Sequence, residues 1–192
     1  MEEIVFAMDY ILKEGLALYW GTSEWSAKDI EKAHEVCKEL RVQPPIVEQP
    51  QYNMFVRERV ENEYTILYEK YGMGLTTYSP LASGLLSGKY NKGIPEGTRL
   101  SMFPQLKKWL EESGLLSDKT FDKIRKLQKI ADEFGATLPQ LAIAWILKNK
   151  HVSSVILGVS KLEQLKENLK AIEIKEKLDD SLMKEIDQIL QS

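Results

Sequence analysis

The chain has 192 residues, enough for one domain with a sizeable core, and its net charge of −3 with a charged fraction of 29% argues against nucleic acid or an anionic membrane as the main partner. No segment approaches the roughly 18 continuous apolar residues of a membrane-spanning helix, and the acidic, amphipathic start MEEIVFAMDYIL is wrong for a signal peptide. The lone cysteine, Cys37, excludes an internal disulfide and fits a reducing, cytoplasmic setting.

In chain order, Ile4, Met8, Ile11 and Leu12 mark a helix over 2–13 that Gly15 stops. The apolar run Leu16 to Trp20, followed by Gly21-Thr22-Ser23, predicts a buried strand and its exit turn. Ser26 can cap the next helix, whose apolar positions are Ile30, Ala33, Cys37 and Leu40. Pro44-Pro45 breaks the chain before a short strand at 46–49. Val60, Tyr64, Leu67 and Tyr68 give another helix, ended by Gly72, and 73–78 is a third strand closed by Ser79-Pro80. A long irregular segment follows, about 81–114, and a connection of that length is usually functional. Phe121, Ile124, Leu127, Ala131 and Phe134 set the next helix. Thr137 caps another, LAIAWILK, which is apolar nearly all round and should be deeply buried.

Val155-Ile156-Leu157 is a run of the kind that fills a buried parallel strand, here the fourth. Gly158 ends it and allows close backbone approach, Ser160 is a candidate N-cap, and Leu162, Leu165 and Leu169 recur at helical spacing. Strand, glycine turn and capped helix make a site for a phosphate, with amides and dipole aimed at it, although an ordinary strand-to-helix connection has the same pattern. Leu182, Met183, Ile186 and Ile189 define a last helix. Strands alternating with helices imply βαβ units and a parallel sheet. Four parallel strands leave two open edges that need covering, so the pattern reads as part of something larger.

Five stretches carry a resemblance: YWGTSEWS (19–26), VEQPQYNMF (47–55), YSPLASGLLSGKY (78–90), TLPQLAIAW (137–145) and ILGVSKLEQLKENLKAI (156–172). Together the chain resembles the aldo-keto reductase family, in particular its potassium-channel β-subunit branch and microbial relatives. The resemblance implies an α/β fold, the second half of an eight-stranded (β/α) TIM barrel, as one domain over 1–192 with a long cofactor loop at about 81–114. It implies a cytoplasmic oxidoreductase half that binds NADP(H). The family's catalytic Asp, Tyr, Lys and His lie in the half of the barrel with no counterpart here, so no catalytic residue is assigned and the chain alone is expected to be inactive. No metal ligands are expected. His34 and His151 read as surface or packing residues.

By the same resemblance, Ser23 and Gln49 would hold the nicotinamide carboxamide, which needs an acceptor and a donor. Tyr78 would stack on the nicotinamide ring. Ser79, Pro80, Leu81 and Ser87 would line the pyrophosphate, and Lys89 and Arg99 would meet the pyrophosphate and the 2′-phosphate. Gly158 and Ser160 would cradle the adenosine phosphate, with Gln164, Glu167 and Asn168 reaching the adenine from one face of the next helix; a polar solvent face opposite the leucines is the alternative. Glu24 departs from the branch, which often carries Arg there, and removes a positive neighbour of the cofactor. The expected partners are the dinucleotide and either the missing first half-barrel or a second copy of this chain. The competing reading is a non-catalytic half-barrel module that self-associates or pairs with a partner half.

Overall fold

The computed structural model describes residues 1–192, which fall into two compact units. The first comprises 1–52, 56–78 and 149–156; the second comprises 53–55, 79–148 and 157–192.

The first unit holds the whole sheet. Its elements are helix α1 (Glu2–Lys13), strand β1 (Gly21–Thr22), helix α2 (Ala27–Leu40), strand β2 (Val47–Glu48), a π-helical turn (Arg59–Glu63), helix α3 (Thr65–Tyr71), and strands β3 (Gly74–Thr77) and β4 (Val152–Val155). The strands run β1-β2-β3-β4, all parallel, with Thr22 opposite Glu48, Glu48 opposite Leu75, and Thr77 opposite Val155. Gly21 permits the first pairing, because a Cβ there would sit 2.4 Å from the Val47 carbonyl oxygen. α2 starts where Ser26 accepts a bond from the Asp29 amide (3.1 Å) and buries Ile30, Ala33, Val36 and Cys37. α1 packs on it through Val5, with Met8 and Leu12 beside it, so Val5 and not Ile4 is the anchor. Gly72, at φ 62°, terminates α3 as expected.

Two strand expectations need correction. Leu16–Trp20 is not a buried strand: Leu18 is 81% exposed, and only Trp20 is buried. β1 has a neighbour on one side only, so the ladder begins at Trp20, whose carbonyl accepts the Ile46 amide (3.1 Å), and the residues before it have nothing to pair with. The fourth strand lies at 152–155, earlier than the apolar run 155–157. It too is an edge strand, so Ser153 and Ser154 are exposed and Ile156 is 40% exposed rather than buried.

The second unit is helical: a 3-10 turn (Ala82–Ser87), then α4 (Arg99–Met102), α5 (Pro104–Glu112), α6 (Asp118–Glu133), α7 (Leu138–Leu147), α8 (Leu162–Leu169), α9 (Ala171–Lys177) and α10 (Asp180–Gln191). α7 is its centre. Leu138 and every residue from Gln140 to Ile146 are buried, and α6, α8, α9 and the 3-10 turn pack around it. Each such leucine or isoleucine contributes about 1.5–3 kcal/mol when fully buried. The segment 81–114 is less irregular than expected, because Leu85, Leu86, Leu100 and Leu110 are buried and draw short helices around themselves. Ser160 is also corrected: the N-cap position of α8 falls on Lys161, with no side-chain cap.

Across both units, four parallel strands alternate along the chain with helices, the fold class expected for half of a (β/α) barrel. A reciprocal capping box holds the start of α7: Thr137 Oγ1 accepts the Gln140 amide (3.4 Å) while Gln140 Oε1 accepts the Thr137 amide (3.0 Å). Thr137→Ala should therefore lower stability by about 1 kcal/mol, read as a shift of the urea midpoint, and Thr137→Ser should restore most of it.

Candidate functional site

In the first unit, three expected site residues occupy equivalent positions. Ser23, Gln49 and Tyr78 are each the first residue after β1, β2 and β3. The sheet's hydrogen bonding continues past the strands and fixes them. The Gln49 amide donates to the Thr22 carbonyl (2.8 Å), Ser23 Oγ to the Gln49 carbonyl (2.9 Å), and the Tyr78 amide to the Pro50 carbonyl (3.1 Å). Ligands of parallel α/β sheets bind at this carboxyl end of the strands. Ser23 is exposed, and Gln49 and Tyr78 are half-buried.

Directly beneath lies a residue that the sequence reading did not single out. Glu48 is fully buried at the last position of β2. Thr22 Oγ1 donates a short bond to its carboxyl, the Trp25 amide lies 3.3 Å away and the Tyr64 hydroxyl 3.4 Å, and the same hydroxyl donates to the Trp25 carbonyl at 2.6 Å. Burial pushes the Glu48 carboxyl above its usual range, and the donated bonds offset this only in part. An acidic residue inside a short strand between proline and glutamine was the available signal.

Glu24 is a second acidic residue at these strand exits. It holds φ at 60°, in the left-handed region. Its Oε1 accepts the Gln51 amide (2.6 Å) and its Oε2 pairs with Arg59 (2.6 Å), whose Nε also reaches Glu63 (3.3 Å). Arg59 is thus shared between two carboxylates, Glu24 and Glu63. The phenol of Tyr78 is held above its usual pKa by burial and then by the Glu24 carboxylate, against Arg59.

In the second unit, Ser79 takes φ 55° and its carbonyl accepts from the side-chain amide of buried Asn53 (3.1 Å). Pro80 is buried and Leu81 half-buried. Ser87 uses its hydroxyl within its own turn, donating to the Gly84 carbonyl (2.6 Å). Lys89 is exposed with Nζ 5.0 Å from the Tyr90 ring centre, and Arg99 is exposed at the first residue of α4. Gly158 and Ser160 are exposed; the Ser160 amide and hydroxyl both reach Gln164 Oε1 (3.0 and 3.2 Å). Gln164 is exposed, Glu167 half-buried and Asn168 buried, so α8 does not present the three equally. Leu162 and Leu169 are instead exposed, at 59% and 52%. A cavity of about 350 Å³ between Tyr90, Lys107, Phe121 and Arg125 contains none of the expected residues.

The histidines pack as expected: His34 stacks on Tyr71 and His151 on Tyr68, each with ring centres 3.8 Å apart. No three His, Cys, Asp or Glu side chains are placed to hold a metal ion, and no helix is long and apolar enough to cross a membrane.

Comparison with known proteins adds two findings. The model of the Aldo/keto reductase family matches residues 1–191. A putative voltage-gated potassium channel subunit beta of Schizosaccharomyces pombe (strain 972 / ATCC 24843) is 48% identical over 192 residues, covering 99% of this chain and 55% of that protein. The chain thus spans about half the length of this curated relative.

The raised Glu48 carboxyl has a definite linkage sign. The folded state binds its proton more tightly than the unfolded chain, so its contribution is full below the ordinary glutamate range and is lost as pH rises through the folded value. Urea midpoints of wild type and Glu48→Gln should therefore diverge between acid and neutral pH, with wild type losing more stability on the way up. Parallel curves would mean that Glu48 ionises in the fold as it does in the unfolded chain.

Proposed function

The chain belongs to the aldo/keto reductase family, and from that premise we propose that it is the NADP(H)-binding half of such a reductase. The carrying observation is the placement of Ser23, Gln49 and Tyr78, each one residue beyond three adjacent parallel strands. Their chemistry fits a nicotinamide. The Gln49 side chain offers both a donor and an acceptor, and the Ser23 hydroxyl, already donating to the Gln49 carbonyl, keeps lone pairs free to accept. The half-buried Tyr78 ring is a stacking platform. The bound cofactor supplies the hydride that reduces an aldehyde or ketone in the complete enzyme.

Ser79, Pro80, Leu81, Ser87 and Lys89 are proposed for the pyrophosphate, Arg99 for the 2′-phosphate, and Gly158, Ser160, Gln164, Glu167 and Asn168 for the adenosine end. The exposed positions of Lys89, Arg99, Gly158 and Ser160 support this, since each is open to a ligand. The buried Asn168 would act from within α8 rather than from its surface. The family's catalytic tetrad has no matching positions here, so the chain alone is proposed to be inactive toward carbonyls in a reducing cytoplasm.

Exposed apolar residues favour a covering partner, either the first half-barrel or a second copy. Leu16, Leu18 and Tyr19 precede the edge strand β1, and Leu162, Leu169 and Ile172 line α8 and α9. The same surfaces would serve a non-catalytic module.

Arg99 should carry the preference for NADP(H) over NAD(H). A charge-assisted bond to a 2′-phosphate is worth about 1.5–3 kcal/mol, roughly ten- to hundred-fold in affinity. Titration of NADP+ and NAD+ into wild type and Arg99→Ala should show that loss for NADP+ alone. Equal loss for both would reduce Arg99 to a general phosphate or folding contact. Binding of neither dinucleotide to wild type would leave the non-catalytic module as the better reading.

A further inference from the structure

We propose that Glu24 is the positioning residue of the nicotinamide end of the site, joining the exits of β1 and β2 through one carboxylate and, through Gln51, placing Tyr78 at the exit of β3. This rests on the cofactor reading above.

Glu24 itself lies in the exit of β1, two residues past its last residue, Thr22. One carboxylate oxygen holds the amide of Gln51, three residues past the end of β2 (2.6 Å). Gln51 in turn bridges to Tyr78, the first residue past β3. The other oxygen is paired with Arg59 at 2.6 Å, and Arg59 also reaches back to the Glu24 carbonyl (3.4 Å). The clamp continues through Glu63, which pairs with Arg59 and accepts the amide of Ala27 at the start of α2 (2.7 Å).

Three successive residues, the last of β1 and the first two of its exit, are therefore tied to the end of β2 and its exit: Thr22 to Glu48, Ser23 to Gln49 and Glu24 to Gln51. The last of these ties is made by a carboxylate that is also ion-paired, to Arg59. The conformation of Glu24 supports a role beyond stability. A non-glycine residue at φ 60° is strained, and such strain is kept where the surrounding contacts need that residue. Glycine would adopt this turn more readily, yet glycine cannot tie the exits together.

The strain makes a clean variant available. Glu24→Gly removes the carboxylate and relieves the backbone, so it should fold as well as wild type. Glu24→Gln keeps an oxygen for the Gln51 amide and loses the ion pair. Two readouts need no cofactor: hydrogen exchange at the Gln51 amide, and the 19F signal of 3-fluorotyrosine at position 78, assigned with Tyr78→Phe. Glu24→Gly should expose the Gln51 amide while leaving the Gln49 amide protected by Thr22, and should move the position-78 signal. Glu24→Gln should retain the protection. In NADP+ titrations, Glu24→Gly should bind about tenfold more weakly, the loss of one charge-assisted bond, with partial rescue by Glu24→Gln. Unchanged exchange and 19F signals in Glu24→Gly would overturn the positioning role whatever the cofactor does. Changed signals with unchanged affinity would overturn its link to the site. If wild type binds no dinucleotide, the cofactor reading fails, and the two cofactor-free signals alone decide whether Glu24 positions Tyr78.

Discussion

A carboxyl group without water at the end of β2 is the constraint on which the first unit depends. Glu48 is fully buried, and an isolated charge in such a place costs several kcal/mol. The cost is contained by a raised pKa and by two donors, the Thr22 hydroxyl and the Trp25 amide, while the Tyr64 hydroxyl gives its proton to the Trp25 carbonyl. Those donors lie in β1 and in the turn that follows it, and Tyr64, just before α3, holds that turn through its Trp25 carbonyl. Satisfying Glu48 therefore determines where the turn after β1 runs. That turn contains Ser23 and Glu24.

From this constraint the site follows in layers. Glu48 holds the turn from below. The backbone bonds of Gln49 and Tyr78 extend the parallel ladder past the strands. Glu24 then draws Gln51 and Arg59 together at the surface. The outcome is a row of polar and aromatic residues whose backbone is held at the strand exits, as the proposed cofactor site requires. The second unit contributes differently. Its centre is an apolar helix, α7, and its charged candidates Lys89 and Arg99 stand exposed on the segment between β3 and α6.

The sequence was most informative where one local signal dominated. α7 could be read from LAIAWILK and its Thr137 cap, and α2 from Ser26 and its apolar spacing, because burial and capping act within a few residues. It was least informative at the sheet edges. Leu16 to Trp20 and Val155 to Leu157 both have strand-like composition, but a strand needs a neighbour to pair with, and neighbours are not local. The same limit applies to α8, where three leucines suggested the buried face and Asn168 is the buried residue. Of the site, the positions came from family resemblance, whereas the polar supports Glu48 and Arg59 became visible only once residues 26 to 35 positions apart were in contact. Glu24 stood out as a departure in charge, and its pairing with Arg59 lies in the fold.

The most direct test is the amide spectrum of the 15N-labelled chain during addition of NADP+. If the strand exits form the nicotinamide end of a cofactor site, the largest saturable shifts fall on the amides of Ser23, Gln49, Gln51 and Tyr78. Shifts confined to the cavity around Tyr90, Phe121 and Arg125, or no saturable shifts at all, would contradict it.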